Sequence, residues 1–249
     1  MRALVLALVI SAGLAAAQQK QAPYGDISDL KILNPQDKVD CKSAPPPKGA
    51  VVLFDGKNLD AWVKTNGKDA ATWKLVDLGK EGPAGRAMEV KGGNIMTREK
   101  FGDSFKLHVE FRVPYMPEAK GQARGNSGVY VQGRYEVQVL DSYGLKSQSN
   151  DCGGIYGVAA PKVNACKAPT IWQCYDIEFT APKCADGRKV KNARMTVWHN
   201  GVKIHDNVEI PVNNTTAGLG GDVCQPGPIM LQDHGNPVQF RNIWLLPAK

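Results

Sequence analysis

The segment GNSGVYVQGRYEVQVLDSYG, residues 125–144, alternates apolar and polar side chains on either side of a glycine. Slipping the register of a hairpin by one residue turns every side chain to the other face, so the loop length matters. A two-residue turn at 133–134 would mix the valines with Glu136 and Gln138. A three-residue loop over 132–134, with Gly133 available for positive φ, gathers one apolar set on a single face: Val129, Val131, Tyr135, Val137 and Val139. The pattern therefore predicts the three-residue loop, with Tyr130, Glu136 and Gln138 on the opposite face.

Strand patterns also occur outside this hairpin. Residues 105–113 and 174–179 alternate strictly, which is typical of half-buried strands. Residues 195–205 predict a hairpin on the two-residue turn Asn200-Gly201, with His199 on its apolar face and His205 exposed. No segment of helical length has a 3.6-residue period. Many short strands between Gly, Pro and Asn turns predict an all-β sandwich of two antiparallel sheets.

Polar residues on the outside of such a sandwich are either a site or a solvated surface, depending on the sheet that holds them. His108, Glu110 and Arg112 form the polar side of the 105–113 pattern. Alternation alone explains them, so we expect a solvated convex surface there.

The N-terminal residues predict export. Met1-Arg2, an apolar run and three alanines at 15–17 have the organisation of a signal peptide over residues 1–17. The apolar run is interrupted and shorter than the ~20 residues that a membrane span needs. Residues 18–48 indicate a tail and Pro-rich linker, and residues 49–249 a single domain. We therefore expect a periplasmic or extracellular protein without a membrane span.

Charge and cysteine content argue against a nucleic-acid-binding protein and against a cysteine-ligated metal site. The net charge of +7 is spread along the chain, which argues against a nucleic-acid partner. Six cysteines in an exported chain indicate disulfides rather than metal ligands, and there is no CxxC pair. Fifteen connectivities are open; Cys152 with Cys166 is the pairing we predict, because both border one Gly- and Pro-rich loop.

Several ordered motifs together resemble one family. They are LFDGKNLDAW at 53–62, FGDSF at 101–105, the 125–144 hairpin, IYG at 155–157, LQDHGNP at 231–237 and FRNIW at 240–244. From about Gly49 to Pro247 the chain resembles the 3-keto-disaccharide hydrolase domain family, formerly a domain of unknown function. The resemblance implies a concanavalin A-like jelly roll and cleavage of glycosides that are already oxidised to a ketone at C3.

Such a ketone changes the chemistry that is needed. It acidifies the C2 hydrogen, so a base can remove that proton and the enolate then expels the C1 substituent, after which water can add. An ordinary glycosidase instead needs two carboxyl groups flanking the bond. Here Glu136-x-Gln138-x-x-Asp141 has an amide where laminarinase-type enzymes have a carboxylate, which disfavours an endoglucanase. A non-catalytic carbohydrate-binding module of the same fold is the main alternative to a hydrolase or lyase.

Two residues are candidates for catalysis. Glu136 is the candidate base, with a surface strand glutamate as the alternative. His234 follows a strand in a turn and is the candidate proton carrier, since imidazole titrates near neutral pH; a structural role in the turn is the alternative. Eight residues are candidates for substrate binding, by hydrogen bonds, charge or ring stacking: Arg124, Asn126, Tyr130, Gln138, Tyr156, Trp172, Gln232 and Arg241.

The sequence motifs give little indication of a metal site. No His-x-His or HExxH spacing is present. Members of the resembled family point to a divalent cation, for which Asp176 and Glu178, with Glu136 and His234, could supply ligands. The predicted partner is an oxidised sugar or glycoside, and the sequence leaves its identity and the oligomeric state open.

Overall fold

The computed structural model describes residues 22–79 and 85–248. The predicted signal peptide and residues 18–21 of the predicted tail lie outside them. Apart from two short 3₁₀ turns, Pro35–Lys38 and Gly121–Ala123, the regular elements of these residues are strands. The strands are β1 (Val51–Phe54), β2 (Trp62–Lys64), β3 (Lys74–Asp77), β4 (Arg86–Glu89), β5 (Ile95–Thr97), β6 (Phe105–Arg112), β7 (Ser127–Val131), β8 (Tyr135–Val139), β9 (Gln173–Thr180), β10 (Lys183–Ala185), β11 (Arg188–Lys191), β12 (Ala193–His199), β13 (Val202–Ile210), β14 (Met230–Leu231) and β15 (Gln239–Pro247).

Two antiparallel sheets form the sandwich. The larger sheet has the order β13-β12-β9-β6-β15-β4-β3, and β1 also pairs with β15. The smaller sheet has the order β2-β5-β14-β7-β8, and β10 pairs with β11 in a separate hairpin. Apolar side chains from the inner faces of both sheets form one core cluster, which buries the valines of β7 and β8 against the aromatic residues of β6 and β9. The predicted all-β sandwich is confirmed.

The hairpin of β7 and β8 has the predicted three-residue loop. Val131 pairs with Tyr135, and both Gln132 and Gly133 have positive φ, of 51° and 64°. The five predicted apolar residues all belong to the core. Tyr130 pairs with Glu136 across the two strands, so their side chains share the outer face.

The hairpin of β12 and β13 differs from its prediction at one residue. Asn200 and Gly201 form the predicted turn, with φ of 53° and 80°. However, Val197 pairs with His205 and Trp198 with Lys203, which leaves Ile204 as an extra residue. This bulge turns both Ile204 and His205 into the protein, where His205 hydrogen-bonds the Gly153 carbonyl oxygen at 2.7 Å. The predicted exposure of His205 is therefore wrong. His199 is buried as expected, and its burial lowers its pKa to about 3.

Residues 22–48, which the sequence presents as a tail and linker, lie against the domain from Ala22 onward; we call them the strap. The Tyr115 amide donates to the Pro23 carbonyl at 2.7 Å, and the Ala168 amide donates to the Asp37 carbonyl at 3.0 Å. Farther along, Asn242 donates to the Ala44 carbonyl at 2.9 Å. The strap thus crosses the outer face of the larger sheet instead of hanging free.

The strap also changes the environment of the predicted convex surface. His108 and Glu110 do point away from the core on β6, but they are 1% and 0% exposed. The expected solvated surface is wrong at these residues because Ser43 of the strap contacts Glu110 and the Trp244 ring stacks on His108.

One disulfide is present, between Cys184 and Cys224. Cys41, Cys152, Cys166 and Cys174 are buried thiols. The predicted pair Cys152 and Cys166 are neighbours without a bond between them, since their sulfur atoms lie within 4.8 Å of one another. In the part of the chain that the structure describes, no helix is long and apolar enough to cross a membrane.

Candidate active site

The candidate site lies on the outer face of the smaller sheet. Glu136 and Gln138 project from β8, and they pair with Tyr130 and Gly128 of β7. The neighbouring strand β14 runs antiparallel to β7 and leads into Gln232, whose amide hydrogen-bonds the Gly128 carbonyl at 3.0 Å. Three adjacent strands therefore bring polar residues from distant parts of the sequence to one surface.

Glu136 is a carboxyl group in an unusual environment. Its residue is only 2% exposed, and burial raises its pKa to about 7, against the lowering effect of a hydrogen bond with Tyr130. Within residues 22–79 and 85–248, Glu136 forms no ion pair. A buried carboxyl without a counter-charge, titrating near neutral pH, is a common property of catalytic acids and bases.

Tyr130 connects Glu136 to Gln232. The Gln232 side-chain amide donates to the Tyr130 hydroxyl oxygen at 3.0 Å, which leaves the hydroxyl proton directed to Glu136. Burial and the adjacent carboxyl raise the pKa of Tyr130 well above its usual value. The hydroxyl therefore stays protonated, as a donor, throughout the physiological range.

Gly128 makes room for this arrangement. A Cβ atom at this position would lie 2.5 Å from Glu136 Oε1 and 2.8 Å from Tyr130 Cε2. Any other residue would push the carboxyl group and the ring apart. The missing side chain at Gly128 is thus a condition for placing Glu136 beside Tyr130.

A second polar group adjoins Glu136 along β8. Gln138 donates to Gln122 Oε1 at 3.0 Å, and the Asn126 side chain donates to the same oxygen at 3.2 Å. The acceptor oxygens of both amides, Gln138 Oε1 and Asn126 Oδ1, are buried and have no hydrogen-bond partner in the described structure. Two adjacent amide acceptors without donors are suited to hydroxyl groups of a ligand.

The loop after β8 closes one side of the site. The Tyr156 amide donates to the Glu136 carbonyl at 3.1 Å, and Gln138 pairs through its backbone with Gly153 and Gly154. Asn150 accepts from the Gln138 side chain at 3.3 Å. Tyr156 is half-buried and influences the pKa of Tyr130, so it lies near the candidate site.

His234 lies in the turn after Gln232 and is exposed. The turn is held to the same sheet, because Asp233 accepts from the Gly93 amide at 2.7 Å and Asn236 accepts from the Asn126 amide at 2.8 Å. Among the described residues, no hydrogen bond or ion pair joins His234 to Glu136. The structure thus associates His234 with the smaller sheet but not directly with the carboxyl group.

Three predicted binding residues lie elsewhere. Arg124 donates to the Asp141 carbonyl at 2.8 Å, and both residues line a separate depression of about 180 Å³. Arg241 stacks on Trp172, with the guanidinium carbon 4.1 Å from the ring centroid, beneath the strap. Arg241 lies on β15 and Trp172 directly precedes β9, both in the larger sheet, so they do not meet Glu136. Arg124 pairs with Asp141, and among the described residues no hydrogen bond or ion pair joins it to Glu136.

The predicted metal ligands are also separated. Asp176 hydrogen-bonds His108 at 2.7 Å and Glu178 pairs with Lys106 at 2.6 Å, both on the outer face of the larger sheet. Glu136 lies on the outer face of the other sheet, with the core between them. These residues do not fit a shared cation. The residues that do converge are Cys152, Cys166 and His199, whose ligand atoms lie within 4.8 Å of one another in the interior.

Sequence reasoning missed Gln122, Asn150 and Gly128. Gln122 and Asn150 belong to loops, and nothing in their local pattern indicates that they face β8. Gly128 had a detectable signal, because a glycine inside a strand commonly marks a close approach of another group.

The outer face of the smaller sheet thus combines a buried carboxyl group, a tyrosine and several amides, a set of groups suited to a polar ligand such as a carbohydrate. A family model described as the 3-keto-alpha-glucoside-1,2-lyase-like domain matches residues 49–246, and the chain belongs to that family. The resemblance noted from the sequence motifs is confirmed.

Solved structures agree with this assignment. A protein of Parabacteroides distasonis ATCC 8503, classed provisionally as a glycosyl hydrolase, is 37% identical with a TM-score of 0.69, over 81% of this chain and 85% of that one. A second protein of the same organism and provisional class is 19% identical with a TM-score of 0.56, over 88% of this chain and 99% of that one, and shows the fold alone. Among curated proteins, no sequence matches this chain.

Proposed function

We propose that this protein is an exported enzyme that cleaves 3-keto-glycosides or 3-keto-disaccharides, with Glu136 as the base that removes the C2 proton. The observation that supports this role is the pKa of Glu136, which burial raises to about 7 without a counter-charge beside it. A base is most effective when its pKa lies near the working pH. Membership of the 3-keto-alpha-glucoside-1,2-lyase-like family supports the substrate class.

The reaction follows from the acidity of the C2–H bond beside a C3 ketone. Glu136 takes the C2 proton, the electron pair of that bond forms the enolate, and the enolate then expels the C1 oxygen substituent as the C1–O bond breaks. The leaving oxygen takes a proton, and the product is a 2-hydroxy-3-keto-glycal. Addition of water across its C1–C2 double bond gives the free 3-keto sugar, which completes a net hydrolysis.

Neighbouring side chains have supporting roles. The Tyr130 hydroxyl, held by Gln232 at 3.0 Å, is the donor nearest the base and is suited to stabilise oxygen that gains charge. The unpaired acceptors on Gln138 and Asn126 are suited to bind sugar hydroxyls. His234, exposed in the adjoining turn, is the proposed donor to the leaving oxygen.

The test compares an oxidised with an unoxidised substrate. Purified protein is incubated with 3-keto-trehalose and, separately, with trehalose, and the products are followed by mass spectrometry for the 2-hydroxy-3-keto-glycal and released glucose. We expect cleavage of 3-keto-trehalose only. The proposal would be contradicted if the protein cleaved neither 3-keto-trehalose nor any member of a panel of 3-keto-glucosides. This outcome would have to hold with EDTA, with added divalent cations and with neither.

Binding without turnover is the outcome that would identify a carbohydrate-binding module instead. A saturable calorimetric signal with the 3-keto sugar, together with unchanged substrate after prolonged incubation, would show it. Glu178→Gln serves as the control variant, since it makes the same substitution at a partly exposed position of the other sheet.

A further inference from the structure

Two cysteines meet where the strap crosses the larger sheet. The Cys41 amide donates to the Trp172 carbonyl at 2.9 Å, and the Trp172 amide donates to the Asp40 side chain at 3.0 Å. This pairing aligns the strap with the start of β9. Cys174, two residues after Trp172, therefore lies beside Cys41 on the outer face of that strand.

The two thiols are close neighbours in a protected environment. Cys41 is 8% exposed and Cys174 is 6% exposed, and both belong to a small apolar cluster with Trp172. The interaction of the two thiols raises the pKa of Cys41 and lowers that of Cys174. The remaining cysteines are accounted for elsewhere, since Cys184 is bonded to Cys224 and Cys152 adjoins Cys166.

We propose that Cys41 and Cys174 form a disulfide that fastens the strap over the larger sheet. An exported chain meets oxidising conditions, in which adjacent thiols are converted to disulfides. The reaction consumes a disulfide-containing oxidant such as oxidised glutathione. The two S–H bonds break, one S–S bond forms, and two electrons and two protons pass to the oxidant, which leaves as two molecules of reduced thiol.

The position of this link explains what it would secure. Ser43, two residues after Cys41, donates to Glu110, and Ala44 accepts from Trp244 at 2.9 Å. A covalent link at Cys41 would hold both contacts in register. Because Cys41 and Cys174 are far apart in the sequence, the closed loop is long, and long loops are those in which a cross-link most restricts the unfolded chain.

Peptide mapping tests the link directly. The full chain is refolded with oxidised and reduced glutathione. It is then denatured in the presence of N-ethylmaleimide, which labels free thiols, and digested with trypsin without reduction. Cleavage at lysines gives the peptides 39–42 and 168–183, which contain Cys41 and Cys174 as their only cysteines. We expect these two peptides to be joined. Labelling of both cysteines, or pairing of either with another cysteine, would overturn the proposal.

A second measurement tests whether the link fastens the strap. Lys42 is exposed, so native trypsin cleavage after it reports on local release. We expect cleavage in the oxidised wild type to be about tenfold slower than in the protein reduced with tris(2-carboxyethyl)phosphine, since a cross-link restrains local opening. Cys41→Ala should be cleaved at the faster rate in both conditions, because it lacks the link.

The variant also controls for the other disulfide, since reduction opens Cys184–Cys224 in both proteins. Equal cleavage rates in oxidised and reduced wild type would overturn the fastening role. Neither measurement involves a sugar, so failure here is distinguishable from failure of the proposed reaction.

Discussion

Glu110 and Glu136 are two buried glutamates on the outer faces of the two sheets, and they differ in their partners. Glu110 is 0% exposed and accepts from Arg241 and Asn242, each at 2.7 Å, as well as from Ser43. Burial alone would raise its pKa, but these hydrogen bonds and that with His108 lower it to about 2. Glu136 is similarly buried, has Tyr130 as its one side-chain hydrogen-bond partner among the described residues, and has a pKa of about 7.

The comparison shows that burial and strand position do not distinguish a structural carboxylate from a candidate catalytic one. The distinction lies in whether the surrounding groups compensate the charge. A compensated carboxylate stabilises the fold when ionised, whereas an uncompensated one costs stability and persists where function requires it. Each prediction below therefore measures one consequence of this difference.

The largest expected effect is on catalysis at Glu136. Glu136→Gln keeps the volume and can still accept from Tyr130, but it cannot take a proton. We expect kcat/KM for a 3-keto-glycoside to fall about 10²–10⁴-fold, the usual contribution of general base catalysis. Steady-state assays of Glu136→Gln, with Glu178→Gln as the control, measure this loss. Unchanged activity in Glu136→Gln would contradict the role of Glu136 as the base.

A large effect on stability is expected at Glu110. Glu110→Gln leaves Arg241 buried without its partner, and breaking a buried ion pair typically costs about 3–5 kcal/mol. Urea unfolding at pH 7 measures the loss. Because the pKa of Glu110 is lowered on folding, its contribution is present above the unfolded value of 4.5 and lost as the pH falls towards 2. The difference between variant and wild type should shrink over that interval, and a constant difference would contradict the assignment.

The opposite effect on stability is expected at Glu136. Its pKa is raised on folding from 4.5 to about 7, so ionisation destabilises the folded protein increasingly as the pH rises through that interval. Glu136→Gln removes this penalty, which corresponds to about 3 kcal/mol above pH 7. Urea unfolding at pH 8 should show the gain and unfolding at pH 4 should show none. A loss of stability at pH 8 would mean that an unrecognised partner compensates the carboxylate.

The smallest expected effect is the pH dependence of the wild-type reaction. If the ionised form of Glu136 is the base, kcat/KM should rise about tenfold per pH unit below the pKa of about 7 and level off above it. Initial rates between pH 5 and 9, with stability checked at each pH, measure this profile. A flat profile across pH 6–8 would exclude a base with this pKa.

The β7–β8 hairpin shows how much the sequence can determine. Its strict alternation allowed only one loop length that keeps the valines together, and the structure has that loop. The shared face of Tyr130 and Glu136 followed from the same period of two. By contrast, the bulge at Ile204 has no signature in the alternating pattern, so the burial of His205 could not be foreseen.

The strap and the candidate site show what the sequence could not determine. Nothing in the composition of residues 22–48 predicts docking, because its contacts are single hydrogen bonds to residues remote in the sequence, such as Trp172 and Asn242. The covering of Glu110 follows from that docking. Arg241 and Trp172 are kept from the candidate site by their position in the larger sheet. Likewise, only the packing of loops against β8 brings Gln122 and Asn150 to Gln138.

The sequence by itself determined the all-β class, the register of the central hairpin and the outward direction of both glutamates, because strand periodicity is a local property. Only the tertiary structure decided which glutamate is compensated. The groups that set the pKa of a buried carboxyl come from other strands and from the strap, and their proximity depends on how the whole chain packs.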